Sequence, residues 1–103
     1  MRLGTTPEHT FVFPFDISSI AQVKITYAQN RKVILEKYLV DCVVGTNSLT
    51  VSLTQDDTFL FVEGSNVEIQ VRVLTKSKQA FTSDVYVVAA TKCLDREVLG
   101  GET

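Results

Sequence analysis

The sequence predicts an all-β protein, an antiparallel β-sandwich of about seven strands, in a single domain spanning residues 1–103. Three observations carry this prediction: an excess of β-branched residues, short segments that alternate apolar and polar residues, and turn residues between those segments. Val, Ile and Thr supply 32 of the 103 residues, whereas Ala, Leu and Met supply 15. Branched side chains lose χ1 freedom in helices but pack well on a pleated sheet. The chain is long enough for one domain with its own core.

The first two predicted strands form the N-terminal third of the chain. The first runs over residues 10–15 and includes Pro14. Because proline cannot donate a ladder hydrogen bond, we expect this strand to lie at a sheet edge or to end at Pro14. Asp16 then opens a turn by accepting a local backbone hydrogen bond. The second strand covers residues 21–29 with alternate side chains inward. Asn30 and Arg31 form the hairpin tip, because Asn tolerates the positive φ of tight hairpins.

Two further strands are predicted in the middle of the chain. Residues 32–39 form a strand whose inner face is ambiguous, because residues 33–35 are consecutive apolar residues. The extended run continues over residues 40–44, and a turn at residues 45–47 reverses the chain. Residues 48–54 alternate again, with Leu, Val and Leu inward.

Thr54-Gln55-Asp56-Asp57 interrupts the strand pattern. Thr54 is a favourable N-cap, and acidic residues are favourable in the first turn of a helix. We therefore predict a single helical or 3₁₀ turn that directs Phe59 or Phe61 into the core. The alternative for the two aspartates is a calcium site, but the regular oxygen spacing of a calcium loop is missing.

The most regular strand pattern covers residues 67–74. Four apolar residues lie on one face, and Glu68, Gln70 and Arg72 lie on the other. One buried and one solvated face are typical of an antiparallel sheet. A polar turn at residues 76–78 leads into a last long strand, residues 80–93, and residues 94–103 form a short tail with one helical turn.

Short strands at regular spacing joined by small turns are typical of a β-sandwich. An immunoglobulin-like Greek key is the first choice of topology, and a small barrel is the second. The Cys…Trp…Cys pattern of true immunoglobulin domains does not apply, because the chain contains no Trp.

The last strand is apolar on both faces. We expect Phe81, Val85 and Val87 to point inward. The apolar residues on the opposite face of the strand must then be covered by either the tail or another subunit. Arg72 has two open interpretations: an ion pair with a neighbouring strand, or a subunit contact, where Arg is enriched. The predicted partner-contact residues are Arg72, Tyr86, Val88 and Ala90.

No catalytic constellation is visible, and we predict that the chain is not an enzyme and binds no cofactor. His9 is the only side chain that titrates near neutral pH, and no motif links it to a nucleophile such as Ser83 or Cys93. We expect His9 at the surface or the rim, so that His9→Ala leaves stability almost unchanged. One His and two Cys are too few ligands for a typical zinc site. Cys42 and Cys93 are predicted as reduced thiols, with a disulfide as the alternative in an oxidising compartment.

Charge and hydropathy exclude other partners. A net charge of −2 and a pI near 5.3 argue against nucleic-acid binding, which needs clustered basic residues. The longest apolar stretch, residues 85–90, is far shorter than a membrane span, and residues 1–8 contain no signal-peptide pattern. We therefore expect no membrane partner and synthesis in the cytoplasm. Whether a small molecule binds is left open.

Five segments carry a resemblance to a known group of proteins. They are Thr5–Phe11, Ile25–Gln29, Leu53–Thr58, Val67–Val73 and Cys93–Leu99. Together they resemble a family of small proteins encoded in phages and prophages of Firmicutes, which are similar to the immunoglobulin-like N-terminal modules of phage baseplate proteins. The resemblance covers nearly the whole chain, and the Thr-Gln-acid-acid-Thr segment and the Gln-x-Arg strand are its most specific parts. The turn at residues 76–78 departs from the Asp-Gly type common in that group.

The resemblance implies a non-catalytic structural or assembly module of a phage or prophage particle, associated with a tail or baseplate. Its partners would be other phage structural proteins or further copies of the chain. The protein would be made in the bacterial cytoplasm and then join the virion. The alternative function is a β-sandwich module that binds carbohydrate or protein at a cell surface. Exposed loop aromatics, which such sites usually use, are few in this sequence.

Overall fold

The computed structural model describes residues 1–100 and contains two antiparallel β-sheets, eight strands in all within that range. Within the same range, Gln55–Phe59 forms an α-helix (α1), and Leu39–Asp41 forms a 3₁₀ turn. The strands are Glu8–Val12 (β1), Ile20–Gln29 (β2), Lys32–Tyr38 (β3), Cys42–Val44 (β4), Ser48–Ser52 (β5), Asn66–Thr75 (β6), Ala80–Thr82 (β7) and Tyr86–Ala89 (β8).

The strand order identifies the sandwich as immunoglobulin-like. One sheet has the order β1-β5-β4, and the other has the order β3-β2-β6-β7, with β8 also paired to β6. If β1 is taken as the B strand of an immunoglobulin domain, the sheets have the orders B-E-D and C′-C-F-G, as in that fold. The predicted fold class is therefore confirmed. β1 lies at the edge of its sheet, as expected, but it covers Glu8–Val12 instead of residues 10–15, so Pro14 follows the strand.

The core lies between the inner faces of the two sheets. β2 and β6, at the centre of the larger sheet, pair from Ile20↔Thr75 to Ala28↔Glu68 and send alternate side chains inward. The predicted inward residues of β5 and β6 are all buried. The buried apolar residues are Leu3, Phe11, Phe13, Ile17, Ile20, Val23, Ile25, Tyr27, Leu49, Val51, Leu53, Phe61, Val67, Ile69, Val71, Val73 and Ala90.

Two local predictions depend on turn chemistry, and both are confirmed. Asn30 and Arg31 have φ values of 51° and 65°, which a two-residue hairpin turn requires. Thr54 caps α1: its hydroxyl accepts from the Asp57 N–H at 3.0 Å, and the Asp57 carboxylate accepts from the Thr54 N–H at 2.9 Å. The helix ends at Phe59, and Phe61 enters the core.

Gln29, the last residue of β2, is a buried polar side chain that ties the sheet to the loop after α1. Its Oε1 accepts from the Val62 N–H at 2.8 Å, and its Nε2 donates to the carbonyls of Val62 and Ser65 at 2.9 and 3.3 Å. The amide therefore replaces backbone partners that a strand would otherwise supply.

Three further predicted elements differ from the structure. The third strand ends at Tyr38, and a 3₁₀ turn separates it from β4. The strand predicted over residues 80–93 is divided into β7 and β8. Residues 94–100 contain no helical turn, and residues 101–103 at the end of the predicted tail lie outside the described residues.

Candidate functional site

The outward side of the five-stranded sheet, called the outer face below, is the candidate site. At its centre β2 and β6 present three cross-strand pairs. These are Lys24↔Arg72, Thr26↔Gln70 and Ala28↔Glu68. The Gln70 Nε2 donates to the Ser83 carbonyl at 3.0 Å, which fixes that side chain in the middle of the face.

The charges on the outer face are only partly compensated. Lys24 lies directly across from Arg72, a like-charged arrangement that destabilises a strand pair. The Lys24 ammonium donates to Glu36 at 2.7 Å, which raises the pKa of Lys24, and the charge of Arg72 opposes that shift. Within residues 1–100, neither Arg72 nor Glu68 forms an ion pair. The outer face therefore presents one free cation and one free anion on the same strand.

Large apolar side chains also point outward on this face. Val33 pairs with Ala28 and Tyr38 pairs with Lys24, so both share the outward side of the sheet, and they are 54% and 46% exposed. Val87 lies across from Glu68, and Val85 lines a shallow depression of about 200 Å³ beside Gln70. This combination of exposed apolar and uncompensated charged groups is suited to a protein contact.

The structure corrects the predicted partner-contact residues of the last strand. Ala90 is 2% exposed, and Val88 packs against the core, so both point inward. Tyr86 also points inward at the sandwich edge, where its ring packs 5.7 Å from that of Phe11, although it is 44% exposed. Val85 and Val87, which were expected inward, are exposed. Arg72 is exposed on the outer face, as expected.

A β-bulge between β7 and β8 explains the inversion. Val73 pairs with Phe81 and Ile69 pairs with Tyr86, so four residues on one strand oppose three on the other between those pairs. One extra residue shifts every following side chain to the other face. The face carrying Phe81 therefore continues through Tyr86, Val88 and Ala90 rather than through Val85 and Val87.

Ser83 supplies the hydrogen bonds at this bulge. Its N–H donates to the Val71 carbonyl at 2.8 Å, and its hydroxyl oxygen accepts from the Val71 N–H at 2.9 Å. The same hydroxyl donates to the Asp84 carbonyl at 2.8 Å. A serine side chain thus completes a ladder that the extra residue would otherwise interrupt. A Thr-Ser-Asp segment inside an apolar strand is the sequence signal that indicates this break.

His9 lies at the sandwich rim, as expected, and contacts a buried side chain. Its Nδ1 lies 2.8 Å from the hydroxyl of Tyr27, a fully buried residue. Burial, and then the charge of the Met1 ammonium, lowers the pKa of His9. Removing the imidazole would leave the Tyr27 hydroxyl without this partner. The sequence alone predicts that His9→Ala leaves stability almost unchanged, whereas this contact leads us to expect a loss of stability.

Asp57 acts as a cap and an ion-pair partner. Burial disfavours its charge, but hydrogen bonds from the Thr54 backbone and from Lys37, 2.9 Å away, more than compensate and lower the pKa of Asp57. The capping interpretation of Asp56-Asp57 is therefore confirmed for Asp57. Among residues 1–100, no three His, Cys, Asp or Glu residues are grouped as a metal site.

The two cysteines are free thiols in the structure. The Cys42 thiol donates to the Tyr38 carbonyl at 3.4 Å, and burial followed by the charge of Asp41 raises its pKa. The Cys93 thiol donates to the Asp95 carbonyl at 2.9 Å and lies at the edge of the core. The charge of Lys37 opposes this rise in the pKa of Cys42. That both thiols are reduced stays a prediction.

A second concave surface, called the aromatic groove below, opens where β1 and β7–β8 approach each other. Its volume is about 200 Å³. Phe15 bridges its base, packing against Phe13 at 5.6 Å and Phe81 at 4.5 Å between ring centroids. Ser83 and Asp84 are the polar residues on one wall.

Comparisons with known proteins give one distant likeness. A scan against protein-family models and a search of curated proteins found no match. Among solved structures, the chain is similar to the V domain of amphioxus IgVJ-C2, with 14% identity and a TM-score of 0.35 over 88% of this chain and 97% of that chain. Within residues 1–100, no helix has the length and apolar character needed to cross a membrane.

Proposed function

We propose that the protein is a non-catalytic assembly module of a phage or prophage particle, associated with a tail or baseplate, and that it acts through protein–protein contacts. The observation that carries the proposal is the outer face, where Arg72 and Glu68 have no ion-pair partner among residues 1–100 and lie beside exposed apolar residues. The sequence resemblance to phage and prophage proteins supports the assignment to a particle. The protein is made in the bacterial cytoplasm and then joins the particle.

The arrangement of the outer face explains how such a module would work. A rigid β-sandwich fixes the positions of its outward side chains, because alternate residues of the same strands are locked in the core. Uncompensated charges select and orient a partner, and the adjacent apolar residues gain free energy when water leaves them. The contact therefore needs no rearrangement of the sandwich.

Protein composition of purified particles tests the proposal. Particles from an induced host culture are purified by density gradient, digested with trypsin and analysed by mass spectrometry. We expect the peptides of residues 25–31 and 79–92 to be enriched with the particle proteins, at a fixed ratio between preparations. An abundant cytoplasmic host protein serves as the contamination control. If the two peptides follow that control instead, the proposal is wrong.

The aromatic groove favours a second candidate, a module that binds carbohydrate or protein at a cell surface. Tyr86 is partly exposed there beside Asp84, and an aromatic ring next to a carboxylate suits a sugar. A glycan array with the wild-type protein and the Tyr86→Ala variant tests it. Binding that Tyr86→Ala abolishes would support this function, and no binding on the array would reject a carbohydrate ligand.

A further inference from the structure

We infer that the outer face binds a second copy of the same chain, about a twofold axis that passes over Gln70 of β6. This inference rests on the proposed function and specifies its first contact. It follows from a self-complementary arrangement of charges and apolar side chains that the strand register places on either side of Gln70.

Glu68 and Arg72 lie at equal distances from Gln70 on the same face of β6. Each is two residues away, about 7 Å along the strand. A twofold axis that lies between two stacked outer faces, perpendicular to β6, reverses the direction of the strand. It therefore places Arg72 of each copy over Glu68 of the other and forms two equivalent ion pairs. Arg72 and Glu68, which have no ion-pair partner among the described residues of one chain, thus become each other's partners.

The same axis also pairs the exposed apolar residues of β3. Tyr38 is level with Arg72, because both pair with Lys24 across the sheet, and Val33 is level with Glu68, because both pair with Ala28. The rotation that places Arg72 over Glu68 therefore places Tyr38 over Val33 of the second copy. Two exposed side chains would bury each other on each side of the axis.

The opposite edge of the sheet follows the same rule. Thr82 pairs with Arg72 and Val87 pairs with Glu68, so Thr82 of one copy meets Val87 of the other. Glu36 is level with the axis, because it pairs with Thr26, and it therefore faces Glu36 of the second copy. Its charge is compensated by the Lys24 ammonium, 2.7 Å away. The contact is isologous, because every residue meets a residue of the same patch.

The dimensions of the molecule allow this contact. Stacked sheets pack about 10 Å apart, a gap that facing Arg and Glu side chains can bridge. The molecule measures 46 × 29 × 18 Å along its principal axes. A broad side of that size can supply the roughly 800 Å² per partner that a stable protein interface needs.

Charge reversal tests the inference. Association of the wild-type protein, Arg72→Glu, Glu68→Arg and the double variant is measured by sedimentation equilibrium over a wide concentration range. Each single reversal places like charges together twice in the dimer, so we expect the dissociation constant to rise at least tenfold. The double variant restores opposite charges and should return close to the wild-type constant. Glu63→Arg, a reversal in the loop before β6, is the matched control and should change nothing.

The outcomes separate this inference from the proposed function. A wild-type protein that is monomeric at every concentration would overturn the dimer, and so would single variants that associate like the wild type. A double variant that stays as weak as the singles would reject the Arg72–Glu68 pair. Near-ultraviolet circular dichroism checks that each variant folds. Incorporation of Arg72→Glu into particles at the wild-type level would reject the dimer contact while leaving the particle assignment intact. If the protein forms the dimer in solution but is absent from the particles, the particle assignment is rejected and the dimer contact is kept.

Discussion

β6 and its neighbour β7–β8 lie side by side in the same sheet and differ in how they are specified. β6 alternates apolar and polar residues over its whole length, and its inward residues are buried as that pattern predicts. β7–β8 is apolar on both faces, so its own pattern does not determine which side faces the core. The partner strand determines it, through a ladder that a bulge shifts by one residue. An apolar strand therefore takes its orientation from its neighbour.

The two strands also differ in what stabilises them. β6 is stabilised mainly by apolar burial and by regular pairing with β2. At the bulge, stability depends on a polar side chain, because the Ser83 hydroxyl accepts the Val71 N–H. Substitutions on the two strands should therefore act through different mechanisms, and variants in β8 and at the bulge test the mechanism of β7–β8.

Aspartate at two adjacent positions of β8 should give the largest difference. Val88 packs against the core, so Val88→Asp would bury a carboxylate and lower the free energy of unfolding by about 3 kcal/mol or more. Val87 is 57% exposed on the outer face, so Val87→Asp should cost less than about 1 kcal/mol. Urea unfolding of both variants is the measurement. The opposite order would show that the bulge does not exist.

Ser83→Ala should have an intermediate effect. It removes the acceptor of the Val71 N–H in a buried strand, and an unsatisfied buried donor costs about 1–3 kcal/mol. Ser52→Ala, on the outward side of the smaller sheet, is the matched control and should change stability by less than about 0.5 kcal/mol. Equal midpoints of urea unfolding for the two variants would contradict the role of the serine.

The pH dependence of stability should show the smallest effect, and it arises outside the two strands. Burial lowers the pKa of folded His9 below 6.5, so the unfolded chain binds more protons near that pH. The stabilisation by neutral His9 is therefore complete above pH 6.5 and is lost as the pH falls through the folded pKa. We expect the free energy of unfolding to fall between pH 7 and 5.5 in the wild type. Urea unfolding of His9→Gln should show no such fall in the free energy of unfolding. If the variant and the wild type have equal pH dependence, that dependence comes from other groups.

Local patterns explain which parts of the fold the sequence predicts. Alternation identifies the inward faces of β5 and β6, and the chemistry of Thr54 and Asn30 identifies a cap and a turn, because these features depend on neighbouring residues. The position of the bulge depends on pairing between distant strands. So does the bond between His9 and Tyr27, which joins the two sheets. Short-range patterns contain no information about such pairs.

The candidate site was only partly predictable for the same reason. Arg72 could be placed on an exposed face, because the alternation of β6 is unambiguous. Its position across from Lys24 requires the register of β2 against β6, which the sequence does not reveal. The predicted orientations of Val87 and Val88 are the reverse of those in the structure, because the sequence does not show where one extra residue is inserted within an apolar segment.

The Gln29 amide has a consequence for local dynamics. Val62 lies in a loop with its side chain 57% exposed, yet its N–H donates to the Oε1 of the buried Gln29 side chain. Amide hydrogens exchange with solvent only when their hydrogen bonds open, and this bond opens only if the end of β2 separates from the loop. Hydrogen–deuterium exchange at Val62 should therefore be as slow as in the central strands, and Gln29→Ala should make it as fast as in the surrounding loop.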